Sequence, residues 1–485
     1  MNGAAAPHGA VGLAMLGSAL ALMVATGLPV YAVLIAVATL FAAAGVAGGA
    51  FDLGLFGALT PRLVGLLEQD LLQALPLYAL VGALLNRLPL AAQLHRGGQW
   101  LLWRSAGAAE MSALTVGALL APMNGSVGAS LHLLARGLAP GLAAAGVPAA
   151  EAGATLCVAG TLGVVVPPSL VLLLLGDAMM RAHTEALHAG GAAVRVVNEQ
   201  DLMRAALVPG ALVLAVSIAL VAWRARRRQP GIATVIDTGG PPPSRRDALV
   251  AAIVALPIAG LLVAVAAGRL YAVEAAATGA LLLVAYATTK LDRAAWQQTL
   301  RAAMALTGLL FALLVGATAF TLVLRAWGTD RLVADWLTTQ AAHPMRLLAL
   351  ALLGLAACSF VLDAFELIFL VVPLVMPPVL QVVPDPAWVA VLALLVLQLG
   401  FLLPPFGYAV AMSRLLLRPA PGLRSLSRAL LPHLLAQAAI VGLVFACPQL
   451  TRWTRPDEPA AAAPKGPAAE EEVERLMREM SAPAR

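Results

Sequence analysis

The chain has 485 residues, 61% of them hydrophobic and only 12% charged, with a mean hydropathy of +0.89. Many uncharged stretches reach the roughly 18 residues that a spanning helix needs, which excludes a soluble globular domain and indicates an all-α, polytopic membrane protein. The net charge of +6 is almost entirely arginine; in such a chain arginine orders topology through the positive-inside rule and points to no nucleic-acid partner. Cys157, Cys358 and Cys447 each lie in an apolar segment and the histidines are scattered, so neither a disulfide framework nor a metal cluster is expected. The first ten residues lack the basic region of a cleavable signal.

In chain order, the uncharged N-terminus is predicted outside, and Arg87, Arg96 and Arg104 fall inside. Residues 108–141 form an apolar segment about twice as long as a half-membrane helix, with a polar break at Asn124-Gly125-Ser126-Val127-Gly128. This predicts a re-entrant hairpin entering from inside. The apolar run 156–175 is interrupted by Pro167-Pro168 and Ser169, and two successive prolines unwind a helix by removing donors and clashing with the preceding turn. The mixed-charge stretch 177–204 is predicted as an outer connection. Residues 205–223 return to the cytoplasm, where Arg224, Arg226, Arg227 and Arg228 mark the end.

A Pro/Gly-rich cytoplasmic linker, 224–246, then divides a first half (1–223) from a second (247–448). Residues 248–267 and 271–289 span as a pair, 308–324 goes outward, and 345–380 is a second over-long apolar segment broken at Asp363-Ala364-Phe365-Glu366. It is predicted as a hairpin entering from outside. The run 388–412 holds Pro404-Pro405 and Gly407; Arg414, Arg418, Arg424 and Arg428 are cytoplasmic, and 429–446 leaves the C-terminus outside. In the tail, 449–485, disorder is the expected state of the Ala/Pro/Glu-rich sequence, with 471–480 its one helix-compatible stretch.

The spacing repeats. Asn124 and Pro167 are 43 positions apart, Asp363 and Pro404 are 41. Each half carries a spanning helix, an amphipathic connector, a hairpin and a broken helix, and an odd number of crossings per half makes the two repeats inverted. Paired interruptions of this kind mark the binding region of secondary transporters, because freed backbone at membrane depth survives only against protein or a polar cavity.

In this order, Leu75-Pro76-Leu77-Tyr78 with Gly82, Asn124-Gly125-Ser126, Gly163 to Leu170 with Pro167-Pro168-Ser169, Val208-Pro209-Gly210, Glu274-Ala275-Ala276-Ala277, Phe360 to Glu366 with Pro373, and Leu403-Pro404-Pro405-Phe406-Gly407 together resemble the large membrane subunit of tripartite ATP-independent periplasmic (TRAP) transporters. The likeness runs from about Val11 to about Pro448. It departs from the family pattern at Asn124, where a serine is usual, at Leu403, where a threonine is usual, at Ala108-Ala109, often Gly-Gly, and in the longer 177–204 segment.

The resemblance implies sodium-coupled uptake of a small carboxylate, delivered by a periplasmic binding protein, with an elevator-like motion of the hairpin domain in the bacterial inner membrane. Sodium is the coupling ion, with no other cofactor. The chain begins at the large-subunit pattern, so a separate small membrane subunit is expected within the lipid bilayer. Unwound backbone supplies carbonyl ligands, and half-helix N-termini favour anionic groups. Candidate ion ligands are Asn124, Gly125, Ser126, Gly163, Val166 and Pro167 for one site, and Thr321, Asp363, Gly400, Leu403 and Pro404 for its counterpart. Ser130, Ser169, Gln398 and Gly407 are the candidate substrate contacts.

Plainer readings stand beside these. Asn124 and Ser126 can cap half-helices, Asp363 can bond hairpin backbone although an intramembrane acid is functional by default, Glu366 can be interfacial, and Glu274 can stabilise a helix start. A stand-alone anion transporter of the same superfamily is the alternative within the class. Gly128-Ala129-Ser130 near His132 is superficially similar to an intramembrane serine protease, but two residues' separation turns His132 to another helix face, away from the reach a dyad needs.

Overall fold

The computed structural model describes residues 6–68, 70–188, 198–228, 243–338, 343–383 and 385–453. Among them every regular element is helical, and eight helices are long and apolar enough to cross a membrane. The predicted linker core and the helix-compatible tail stretch lie outside the described residues.

The first half opens with α1 (Ala6–Thr26) and α2 (Val30–Ala47). A short 3-10 stretch, Leu53–Ala58, leads to α3 (Leu59–Leu67), α4 (Asp70–Arg87) and α5 (Leu90–Leu101). The hairpin is α6 (Ala108–Leu120) and α7 (Val127–Ala144); the broken helix is α8 (Ala149–Val165) and α9 (Leu170–His188), and α10 (Glu199–Arg227) closes the half. The second half repeats the order. It runs through α11 (Arg245–Ala266), α12 (Ala272–Thr288), α13 (Arg293–Ala326) and α14 (Thr329–Thr338) to a hairpin of α15 (Pro344–Cys358), α16 (Ala364–Glu366) and α17 (Val372–Val382), the last two joined by a π-turn, Leu367–Val371. The broken helix is α18 (Pro386–Leu402) and α19 (Tyr408–Leu416), followed by α20 (Leu423–Ala446) and α21 (Gln449–Arg452).

Packing between the halves is reciprocal. α9 lies on α17 and α19 on α7; α8 meets α19 as α18 meets α9; α2 packs on α13 as α12 packs on α4; α5 packs on α11 as α14 packs on α1. Each half therefore completes the other.

Local chemistry explains both breaks. Val166 and Leu403 leave the helix with nearly identical torsions, φ −79° and ψ 116° and 113°. The prolines that follow cannot donate to the carbonyls of Gly163, Val164, Gly400 and Phe401 four residues earlier. Both Pro-Pro bonds are cis. The chain restarts where Ser169 Oγ accepts the Leu172 N–H at 3.0 Å, a side-chain cap on α9.

The structure adds detail to two expectations. At both ends of the stretch 177–204, expected as an outer connection, the chain is helical: α9 continues to His188 and α10 begins at Glu199. Ala178, Met179, Ala182 and Ala186 are buried at helical spacing, and Asp177, also buried, pairs one turn on with the more exposed Arg181, so the helix buries an apolar stripe and neutralises the acid beside it. The outward span expected over 308–324 is the end of a 34-residue helix, about 51 Å long at 1.5 Å per residue.

Candidate functional site

Hairpin tips are built by capping. In the first, the chain turns through Gly125 at φ +78°, a left-handed conformation that glycine adopts without a Cβ penalty. Ser126 then caps α7, its Oγ accepting the Ala129 N–H at 3.1 Å. In the second, Asp363 Oδ1 accepts the Ala364 N–H at 2.7 Å and Glu366 Oε2 accepts the Asp363 N–H at 2.9 Å. Each carboxylate keeps an oxygen outside these bonds.

The broken helices hold the tips by close approach. A Cβ at Gly163 would lie 2.6 Å from the Ala121 carbonyl, and one at Gly400 would collide with Ser359 Oγ. Gly163 thus admits the hairpin backbone against α8, and Gly400 admits the Ser359 side chain against α18.

Among the described residues, three cavities with charged side chains in their lining lie in sequence along α13. A central one, about 180 Å³, is lined by Ser126, Asp363, Glu366 and Tyr408 on one side and by Val30, Tyr31, Leu306, Leu309, Leu310 and Leu313 on the other. A second, about 430 Å³, shares Leu306 and reaches Thr299, Asn86, Arg87, Asn124, His132 and Arg136. The third, also about 430 Å³, holds Thr321, Arg325, Arg62, Asp177, Arg181 and Glu185. From Thr299 to Arg325 the row spans about 39 Å of helix.

The polar groups of the central cavity all belong to hairpin tips and α19, except Tyr31. Its opposite wall, on α2 and α13, is otherwise hydrocarbon. Ser126 and Asp363, assigned by sequence to two separate sites, face one cavity from opposite halves of the chain. Glu366 and Tyr408 join them; the sequence places Glu366, one turn beyond Asp363, in the polar break with an interfacial role open to it, and does not single out Tyr408.

Other candidates fall elsewhere. Thr321 lines the cavity at the far end of α13, and its hydroxyl donates to the Ala317 carbonyl at 2.7 Å. Asn124 is fully buried and accepts from Asn86 Nδ2 at 3.2 Å in the Arg87 cavity. Ser130 donates back to the Ser126 carbonyl at 2.8 Å and Ser169 caps α9, which occupies both hydroxyls locally. Gln398 is buried in α18 with no partner for its Nε2. Leu403 and Pro404 form the break, and the Gly407 N–H donates to the Leu403 carbonyl at 2.8 Å. Glu274 Oε2 accepts the Tyr271 N–H at 2.9 Å and stabilises the start of α12.

Oxygen ligands from Ser126, Asp363, Glu366 and Tyr408 suit a hard monovalent cation or a proton. Among the described residues no three or more His, Cys, Asp and Glu side chains gather as a group that could hold a metal ion.

Over most of its length the chain is similar to known proteins. Residues 17–450 match the family described as the tripartite ATP-independent periplasmic transporter, DctM component. The chain is 25% identical over 352 residues to the C4-dicarboxylate TRAP transporter large permease protein DctM of Pseudomonas aeruginosa, covering 70% of this chain and 76% of that one. It is 25% identical over 398 residues to the sialic acid TRAP transporter large permease protein SiaM of Vibrio cholerae, covering 80% and 87%. The YdaH transporter of Alcanivorax borkumensis shares the fold with a TM-score of 0.55 at 17% identity, over 81% of this chain and 88% of that one. With nearly its whole helical length matched, the chain belongs to the DctM component family of tripartite ATP-independent periplasmic transporters and is the large permease subunit of such a transporter, not an enzyme.

Proposed function

We propose that this subunit moves a small organic anion across the bacterial inner membrane in symport with sodium, taking it from a periplasmic binding protein and working with a separate small membrane subunit. The carboxylate class is carried over from relatives named for C4-dicarboxylates and sialic acid. The observation that carries the reading is the central cavity, where four oxygen-bearing side chains on hairpin tips and α19 face a leucine row on α13. A cation held by the tips neutralises their carboxylates in a low-dielectric setting. Polar ligands held on one body against an apolar second body suit an elevator, in which hairpins and broken helices move as a unit past α2 and α13. The reciprocal packing supports two inverted repeats as its source.

Reconstituted vesicles test this. Uptake should require the binding protein, the small subunit and an inward sodium gradient; sodium-indifferent or ATP-driven uptake would overturn it. Asp363→Asn and Ser126→Ala should raise the sodium concentration for half-maximal uptake about 5- to 150-fold, the effect of losing roughly 1 to 3 kcal/mol from a buried ion shell. Purely structural caps would instead lower the melting temperature and leave sodium dependence unchanged.

A further inference from the structure

The cavity at the Arg87 end of α13 has a chemistry unlike that of the other two. Among the described residues no aspartate or glutamate lines it, and Arg87 and Arg136 both do. Arg87 donates to Gln298 Oε1 at 2.7 Å and Arg136 to the Asn86 carbonyl at 3.3 Å. Neither contact carries negative charge, and a guanidinium has five N–H donors. In the cavity at the opposite end of α13, by contrast, Asp177 pairs with Arg181 and Glu185 with Arg325.

Between the two arginines, the amides are oriented by a short chain of bonds. Asn86 Nδ2 donates to the Gly82 carbonyl at 2.8 Å and to Asn124 Oδ1 at 3.2 Å. This fixes which end of each amide is which. Among the described residues Asn124 Nδ2 is then a donor with no acceptor, on a side chain that is 0% exposed, and Asn86 Oδ1 is an acceptor with no donor. Buried polar groups in native proteins are paired, so orphaned ones at a cavity wall call for a partner from outside the chain.

The geometry points to an anion-binding site in this cavity for a small carboxylate that also bears a hydroxyl or amino group. Arg87 and Arg136 would engage carboxylate oxygens, Asn124 Nδ2 would donate to the same anion, and Asn86 Oδ1 would accept from the ligand's own donor. Guanidinium and carboxylate match as planar, two-pronged partners. Asn86 and Arg87 belong to α4, whereas Asn124 and Arg136 belong to the hairpin. A bound anion therefore bridges the two bodies, and separating them releases it. With Arg87 on the cytoplasmic side, as the arginine distribution predicts, this is the site from which the anion leaves. The assignment rests on the reading of the subunit as a carrier of organic anions.

The test uses the full chain with its small subunit in detergent, without sodium, titrated calorimetrically with acetate, succinate, L-malate, L-aspartate and sialic acid. At least one hydroxyl- or amino-bearing carboxylate should bind, more tightly than succinate. Arg87→Gln and Arg136→Gln should each weaken it about 10- to 100-fold, Arg136→Lys less, and Arg104→Gln not at all. In a second measurement that keeps both arginines, a cysteine introduced by Ala302→Cys, exposed on the cavity wall, should be alkylated more slowly when that carboxylate is present. No binding by any of the five, or unchanged affinity in both arginine variants, overturns the site. Sodium-driven carboxylate uptake that survives both substitutions would reject the site and leave the transport reading standing; intact binding with sodium-indifferent uptake would do the reverse.

Discussion

Gly163 and Gly400 hold equivalent places before the two breaks, yet they meet different neighbours. Gly163 faces main chain, the Ala121 carbonyl, which cannot rotate away; Gly400 faces the side chain of Ser359. Gly163→Ala should therefore destabilise the subunit by about 1 to 3 kcal/mol, the usual range for overpacking, seen as a lower melting temperature in detergent. Gly400→Ala should cost less and recover partly when combined with Ser359→Ala. Equal losses at both glycines would show that the backbone yields as easily as the hydroxyl. At this scale the hairpin-tip positions of Ser126 and Asp363 were legible, because polar residues and glycine interrupting an apolar run mark a turn. Arg87 and Arg136 were not legible as ligands: an arginine near the end of an apolar run reads as a topology marker until a fold brings two of them to one cavity. Nor was Ser126 a choice between cap and cavity lining. Its oxygen accepts from Ala129 while the residue lines the central cavity.

The elements are pinned at their ends by matching ion pairs. Arg228, just past α10, pairs with Glu110 on α6 and Glu151 on α8; Arg452, at the end of α21, pairs with Asp385 before α18 at 3.0 Å. Partial burial disfavours the charge on Arg228, but the two carboxylates more than offset that and raise its pKa above the ordinary guanidinium value. The two pins differ in burial. Glu110 is 2% exposed, while Arg452 is 58% exposed. Glu110→Gln should cost up to about 3 kcal/mol by leaving a part-buried guanidinium short of a partner, whereas Arg452→Ala should cost under about 1 kcal/mol; thermal unfolding of each variant decides. The hairpins themselves were legible, since an apolar run too long for one half-crossing and split by polar residues has few other foldings. The extension of α9 to His188 was not, because charge density in 177–188 resembles a loop and its apolar stripe is only alanine and methionine.

For the whole molecule, the positive-inside reading makes a checkable statement about sides. In a chain with its three native cysteines replaced, Trp103→Cys should resist an impermeant thiol reagent in intact cells and Trp453→Cys should react; both positions are well exposed in the fold, at 68% and 81%. The opposite pattern would invert the topology. The order of elements in each half could be read from the chain, but the meeting of Ser126 with Asp363 could not. They are 237 positions apart, and only the reciprocal packing of α9 on α17 and α19 on α7 brings them to one cavity. Sequence periodicity reports what a helix buries, not which helix covers it.

The row Leu306, Leu309, Leu310 and Leu313 has a mechanical consequence. A methyl surface offers no donor or acceptor, so in the proposed elevator motion a hairpin tip passing along it would break no hydrogen bond and find none to form. Such a track would be lubricated and without detents, and its stopping points would come from its ends, where Arg325 meets Glu185 and Gln298 meets Arg87. Leu310→Gln would install a detent midway: one added hydrogen bond of about 1 kcal/mol would slow turnover roughly 5-fold while leaving the half-saturating concentrations of ion and anion unchanged.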